Sequence, residues 1–191
     1  MRVASERLIL REFIEEDFEQ FYSVFSNQQV MRYALREVSR NPEDKRSYFD
    51  EILCHNQTKE GRGGYEFAVL LASTGAFVGF ADVEVTLQND HGGCGEIGYF
   101  LLPDYWGKGF ATEIANTLLE FCFTAIGLHR VCASCNAANH ASEHVMQKVG
   151  MTKEGEFDQV RFKFGTWHNE LRYRIMKDEW SRLRNSNTNP V

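Results

Sequence analysis

Gly95-Glu96-Ile97-Gly98-Tyr99-Phe100-Leu101-Leu102-Pro103-Asp104-Tyr105-Trp106-Gly107-Lys108-Gly109-Phe110-Ala111-Thr112-Glu113 is the stretch on which the fold turns. Aromatic and β-branched residues from Ile97 to Leu102 predict a strand. Pro103 ends it by removing a ladder donor. Gly107 and Gly109 follow. Apolar residues then fall at Ala111, Ile114, Ala115, Leu118, Leu119 and Cys122, which is helix spacing, and Gly127 is a stop residue just beyond. The unit is therefore strand, glycine turn, helix start. The first amides of a helix have no internal partner and sit at its positive end. Two glycines let a ligand come close to the backbone, so the unit is a candidate cradle for a phosphate or pyrophosphate. A plain tight turn explains the same residues. The spacing is not that of a Walker loop, and the third glycine of a dinucleotide fingerprint is missing.

The chain has 191 residues, enough for a single domain with a sizeable core. An apolar share of 43% excludes disorder as the default, and fifteen Phe with seven Tyr supply much of the core. No window approaches the ~18 unbroken apolar residues of a membrane helix. Met1 to Glu6 lacks the apolar block of a signal peptide, so the expected compartment is the cytoplasm and no membrane partner is expected. A net charge of −6 argues against a nucleic-acid partner. Five cysteines without an export signal predict free thiols. Cys132 and Cys135 have CxxC spacing inside a strand-like run, where residues three apart face opposite ways, and no second pair completes a zinc site. His140, His144 and His168 lack further ligands of their own, so no metal is expected.

In order along the chain, Arg7 to Arg11 reads as a short strand. Phe18, Phe21, Tyr22 and Phe25 repeat at helix spacing behind Glu15, Glu16 and Asp17. Residues 26 to 40 read as irregular. Asn41 and Pro42 open a second helix with a stripe of Tyr48, Phe49, Ile52 and Leu53. Tyr65 to Leu71 and Phe77 to Val85 predict a hairpin, Leu87 to Gly93 a polar loop, and Leu128 to Cys135 a strand. A short helix follows, begun by Asn139 and Ser142, with Val145 and Val149 inward and Gly150 past its end. Met151 to Glu156 and Leu171 to Met176 read as a last hairpin joined by an aromatic loop through Phe162, Phe164, Gly165 and Trp167. The core is expected over about 6–177 of one 1–191 domain, with a polar, frayed tail at 185–191.

Tyr105 to Glu113 resembles the acetyl-CoA pyrophosphate loop of the GCN5-related N-acetyltransferases (GNAT superfamily), and more narrowly the branch that acetylates ribosomal-protein N-termini and related amines (RimJ/RimL type). That loop reads Gln/Arg-x-x-Gly-x-Gly/Ala, which falls here on Trp106, Gly107, Lys108, Gly109, Phe110 and Ala111, with Trp106 departing from the first position. Glu6 to Arg11 resembles the family's first strand, Val30-Met31-Arg32-Tyr33 its turn, and Asn136 to Ser142 with Val145 and Lys148 to Met151 the segment after its fifth strand. The matches run in order over roughly residues 6 to 176.

The resemblance implies an α/β (α+β) GNAT fold: a mixed, mostly antiparallel six- to seven-stranded sheet flanked by helices, with a splayed central strand pair and two lid helices over an amine site. It implies acetyl-CoA as cosubstrate and an amine acceptor, either a protein N-terminus or a small molecule, with direct transfer in a ternary complex. A homodimer is a family-level expectation. Backbone of Tyr99, Phe100 and Leu101 would pair with the pantetheine arm, and amides from Trp106 through Gly107, Lys108, Gly109, Phe110 and Ala111 to Thr112 would hold the pyrophosphate. Lys108 would add charge or stand solvated. Asn139 would contact pantetheine, and Ser142 would lie near the sulfur as general acid; helix capping explains Asn139 equally.

An α-amine titrates at about 8 and a lysine at about 10.4, so either needs a base at neutral pH. Glu96 is the first candidate, Glu84 and Asp82 the next. The resemblance to one ribosomal-protein acetylase of that branch implies an acid in the segment matching Gln159 to Phe162, where this chain has Arg161. Two rivals stand beside this reading: a non-catalytic acyl-CoA sensor, and a nucleotide-binding regulator.

Overall fold

A computed structural model describes residues 1–34, 37–58 and 61–188. Its eight strands form one sheet: β1 (Arg2–Ala4), β2 (Leu8–Glu12), β3 (Gly64–Leu71), β4 (Phe77–Asn89), β5 (Gly92–Leu101), β6 (Arg130–Asn136), β7 (Thr152–Lys163) and β8 (Thr166–Met176). Their spatial order is β1-β2-β3-β4-β5-β6-β8-β7. Every neighbouring pair is antiparallel except β5–β6, which is parallel. The helices are α1 (Phe18–Phe25), α2 (Glu43–His55), α3 (Phe110–Phe121), α4 (His140–Lys148) and α5 (Lys177–Thr188). None is long and apolar enough to cross a membrane, among the described residues.

The sheet buries both faces, because apolar residues alternate across its central strands. On one face Ile97 and Leu101 of β5 join Ile114 and Leu118 of α3, Met146 of α4, and Val131, Leu171 and Ile175. On the other, Phe80 and Phe100 meet an aromatic cluster from α1, α2 and the chain before them. Phe21 and Phe49 have ring centres 5.0 Å apart, and Phe13 stacks on Phe80 at 5.9 Å. Such ring pairs add to plain area burial. The two predicted lid helices are therefore bolted to the sheet.

The mixed, mainly antiparallel sheet and its helices agree with expectation, with differences at the edges. The sheet has eight strands, since Arg2–Ala4 pairs with Ile9–Arg11. Leu87 to Gly93 is not a loop: β4 and β5 run on as a ladder to Asn89–Gly92, with a bulge between Val85 and Leu87. The aromatic segment near Phe162 is likewise strand, closed by a turn at Phe164 and Gly165, both with positive φ. Inside α4 the fully inward residue is Met146, while Val145 is half-buried. Residues 185–188 of the expected frayed tail are helical, as the end of α5, and 189–191 lie outside the described residues. Residues 26–40 contain one helical turn, Val30–Tyr33, and 35–36 lie outside the described residues.

At the far end of α2 the sheet buries a carboxylate. Glu66 is 9% exposed, and one of its oxygens is enclosed without a hydrogen-bond partner. Burial raises its pKa above the ordinary carboxyl value, while His55 and Arg62 oppose the shift. A carboxyl with a raised folded-state value contributes stability that is complete below its unfolded value and is lost as pH rises through the folded one. Glu66→Gln is therefore expected to raise the unfolding midpoint at neutral pH, with the gain vanishing below about pH 4. Equal midpoints at neutral pH would show that ionised Glu66 carries no penalty.

Candidate active site

The parallel pairing of β5 with β6 lasts three residues: Cys94 with Arg130, Gly95 with Val131, and Glu96 with Cys132. Beyond Glu96, β5 keeps β4 to Leu101, while β6 keeps β8 to Asn136. The two strands part, as a splayed pair requires. Tyr99, Phe100 and Leu101 thus lie on the prong beyond the split, with one edge of their backbone turned toward the opening.

Across the opening stands α4. Asn139 caps it, its side-chain oxygen accepting the Ser142 amide at 3.2 Å. The capping explanation of Asn139 is therefore satisfied, through its side-chain oxygen alone. The Ser142 hydroxyl lies 3.3 Å from the Tyr99 hydroxyl. This pair joins β5 to the first turn of α4. Burial first, moderated by the Ser142 contact, pushes the Tyr99 hydroxyl up to about 12. The sequence places only the Tyr99 backbone at the split; the contact of its buried hydroxyl with Ser142 has no signal in the sequence beyond the residue type. Burial also raises the Cys132 thiol, and pushes Cys135 up to about 11.

The glycine turn follows β5 at the mouth of the opening. A single helical turn, Pro103–Tyr105, leads into Trp106, whose indole N–H donates to the Leu101 carbonyl at 2.7 Å. Gly107 and Gly109 have φ of 71° and 80°. That region disfavours any side chain, and nothing lies within 4 Å of where a Gly107 Cβ would stand. Gly109 forms the N-terminal boundary of α3 without a side-chain cap, and the first amide to bond back is Glu113 to the Gly109 carbonyl at 3.1 Å. The preceding amides at this helix start meet the requirements of an anion cradle. Lys108 is exposed, its ammonium 5.8 Å from the Tyr105 ring centre.

Glu96 sits at the base of the split, half-buried and opposite Glu84 on β4. Strand alternation puts it on the lid-helix face with Phe100, whereas Tyr99 faces α4. Ser142 and Glu96 are thus not neighbours; they flank the split from opposite faces. Asp82 lies opposite Gly98, and its carboxylate occupies the space a Cβ there would need. Arg161 is ion-paired with Glu170, which is buried and also 3.5 Å from Arg172. His140 is largely exposed, and the His168 Nε2 is 3.3 Å from the Lys163 carbonyl. A groove of about 520 Å³ runs along α3 from the glycine turn, where Gly109 and Thr112 line it beside Arg7 and Glu113, to Trp180.

The family model for an acetyltransferase (GNAT) domain matches residues 7–152. The chain belongs to the GNAT acetyltransferase family. It is 32% identical over 181 residues to the uncharacterized N-acetyltransferase YnaD of Bacillus subtilis (strain 168), covering 95% of this chain and 100% of that one. Two solved GNAT structures share the fold. The spermidine N-acetyltransferase of Vibrio cholerae, in complex with CoA and spermine, aligns with a TM-score of 0.80 at 20% identity, covering 93% of this chain and 99% of that one. The ribosomal-protein-S5-alanine acetyltransferase of Vibrio fischeri aligns at 0.79 and 20%, covering 94% and 98%. The protein is accordingly an acetyl-CoA-dependent N-acetyltransferase.

Gly109→Val would force a branched side chain into a left-handed φ and toward the Arg7 guanidinium, 3.5 Å from the Cβ position. The Kd for acetyl-CoA should rise about tenfold, as expected when loop and ligand lose their fit. An unchanged Kd by calorimetry would remove the cradle.

Proposed function

We propose that this chain moves the acetyl group of acetyl-CoA directly onto a cationic primary amine, with no acyl-enzyme stage. The observation that carries the reading is the β5–β6 split, with hydroxyls on one side, carboxylates on the other and open helix-start amides at its mouth. Acetyl-CoA supplies the activated acyl carbon. The chain's own residues supply grip, alignment and proton handling.

In this reading, amides from Trp106 to Thr112 hold the pyrophosphate, with the α3 dipole adding to their pull. The free edge of Tyr99 to Leu101 accepts pantetheine as an added strand, and the Asn139 amide group fixes its far side. Cys132 and Cys135 support direct transfer: burial keeps both as thiols, and a thiol is a poor nucleophile.

The hydroxyl pair has a defined role. Burial makes the Tyr99 hydroxyl a weaker acid than a free tyrosine, so outright loss of its proton to a departing thiolate is uphill. Tyr99 and Ser142 therefore act by donating a hydrogen bond to the departing sulfur and relaying the proton that the attacking nitrogen sheds. On the opposite face Asp82, Glu84 and Glu96 attract a positively charged acceptor, and Glu96 or Asp82 takes its first proton. Spermine-like polyamines and protein N-termini both satisfy this chemistry.

The test is thiol release from acetyl-CoA against a panel of polyamines and peptides beginning with Ala or Ser. Turnover is expected with at least one cationic amine and none with the matching alcohols. CoA binding without turnover across the panel would make the protein a sensor instead. With an acceptor in hand, Tyr99→Phe should lower kcat on the order of 10²-fold while leaving the acetyl-CoA KM nearly unchanged. Wild-type kcat in both Tyr99→Phe and Ser142→Ala would take the pair out of the reaction.

A further inference from the structure

The glycine turn is held from outside by a residue more than a hundred positions away in sequence. Arg7 precedes β2, and its carbonyl accepts the Ala72 amide at 2.9 Å, which roots it in the sheet. Its guanidinium donates from Nε and Nη2 to one oxygen of Glu113, each at 2.7 Å. Its backbone N–H and the Ser5 hydroxyl donate to the other oxygen, also at 2.7 Å. Its remaining nitrogen, Nη1, donates to the Lys108 carbonyl at 3.0 Å. The same guanidinium lies 4.5 Å from the centre of the Phe110 ring. Arg7 therefore touches the turn at Lys108, its boundary at Phe110 and the first turn of α3 at Glu113.

From this geometry we infer that Ser5, Arg7 and Glu113 form a strut that holds the 107–112 segment in its anion-receptive shape before the cofactor arrives. Two left-handed glycines, neither with a side chain of its own to pin it, give this turn many alternative shapes. Choosing one of them costs conformational entropy, and a strut that makes the choice in advance spares that cost at binding. At the other end, Trp106 fixes the turn to Leu101. Arg7 is a positioning residue rather than a phosphate ligand. All three of its guanidinium nitrogens are engaged, and its charge is matched by Glu113, whose side chain is 14% exposed. The inference rests on the cradle reading for its effect on CoA, but the strut itself is a property of the free protein.

Arg7→Lys, Arg7→Ala, Ser5→Ala and Glu113→Gln test it through two readouts. In the cofactor-free protein, amide hydrogen exchange at Gly107 to Thr112 should quicken about tenfold in Arg7→Ala and Glu113→Gln. The CoA Kd by calorimetry and the acetyl-CoA KM should rise about tenfold, with kcat at saturating acetyl-CoA within about twofold. Arg7→Lys keeps the charge but loses the forked geometry, so it should fall close to Arg7→Ala. Glu113→Gln separates the strut from a direct charge effect. It removes a negative charge beside the cradle, yet the strut requires CoA binding to weaken. Equal or tighter binding in Glu113→Gln would make Arg7 a phosphate ligand and overturn the inference, as would unchanged exchange in Arg7→Ala. Should Arg7→Ala not fold, Arg7→Lys and Ser5→Ala carry both readouts. If the unsubstituted protein binds no CoA, the cradle reading fails, and exchange alone decides the strut.

Discussion

A parallel ladder that stops after three residue pairs is the constraint from which the rest of this structure follows. Backbone N–H and C=O groups in a sheet interior need partners. Where β5 and β6 part, one edge of β5 turns toward a space that neither strand fills. The fold tolerates this because each prong is secured on its other side, β5 by β4 and β6 by β8. An extended ligand can then serve as the missing strand.

The surrounding elements keep the prongs apart. Ile114 and Leu118 of α3 pack beneath β5, and Met146 of α4 lies within the same cluster as Val131 and Leu171. The lid helices close the other face through Phe13, Phe21, Phe49 and Phe80. The β7–β8 hairpin is tied to the lid as well: the buried Lys163 ammonium donates to the Met31 and Ala34 carbonyls at 2.8 and 2.6 Å. Lid, hairpin and sheet therefore form one frame around the split. Charged groups are sorted by the two-residue period of β5, which sends Glu96 to the lid face and Tyr99 to the α4 face.

Much of this was legible in the sequence, and the parts that were not share physical reasons. The run from Gly95 to Glu113 announced strand, turn and helix because strong local signals coincide there: β-branched and aromatic residues, proline, paired glycines and a helical apolar period. Leu87 to Asn89 projects with every residue exposed, so no alternation marks it, and the segment through Phe162, Phe164, Gly165 and Trp167 reads as a loop because its inward positions, Arg161 and Lys163, are charged while Phe162 and Phe164 point outward. Helix α5 has no apolar period to announce it, because its run from Lys177 is almost wholly polar; Trp180 packs on Phe123. The Tyr99–Ser142 and Arg7–Glu113 contacts join residues 43 and 106 positions apart, and no local pattern encodes such pairs. Arg161 stood out as a departure from the resembling branch; its charge is absorbed by Glu170 rather than offered to a substrate.

The most direct test of the account is a crystal structure of the protein grown with coenzyme A. The account predicts the pyrophosphate on the amides of Gly107 to Thr112, the pantetheine hydrogen-bonded along Tyr99 to Leu101, and the sulfur beside the Tyr99 and Ser142 hydroxyls. A nucleotide seated elsewhere, with β5 and β6 unchanged and nothing between them, would contradict it.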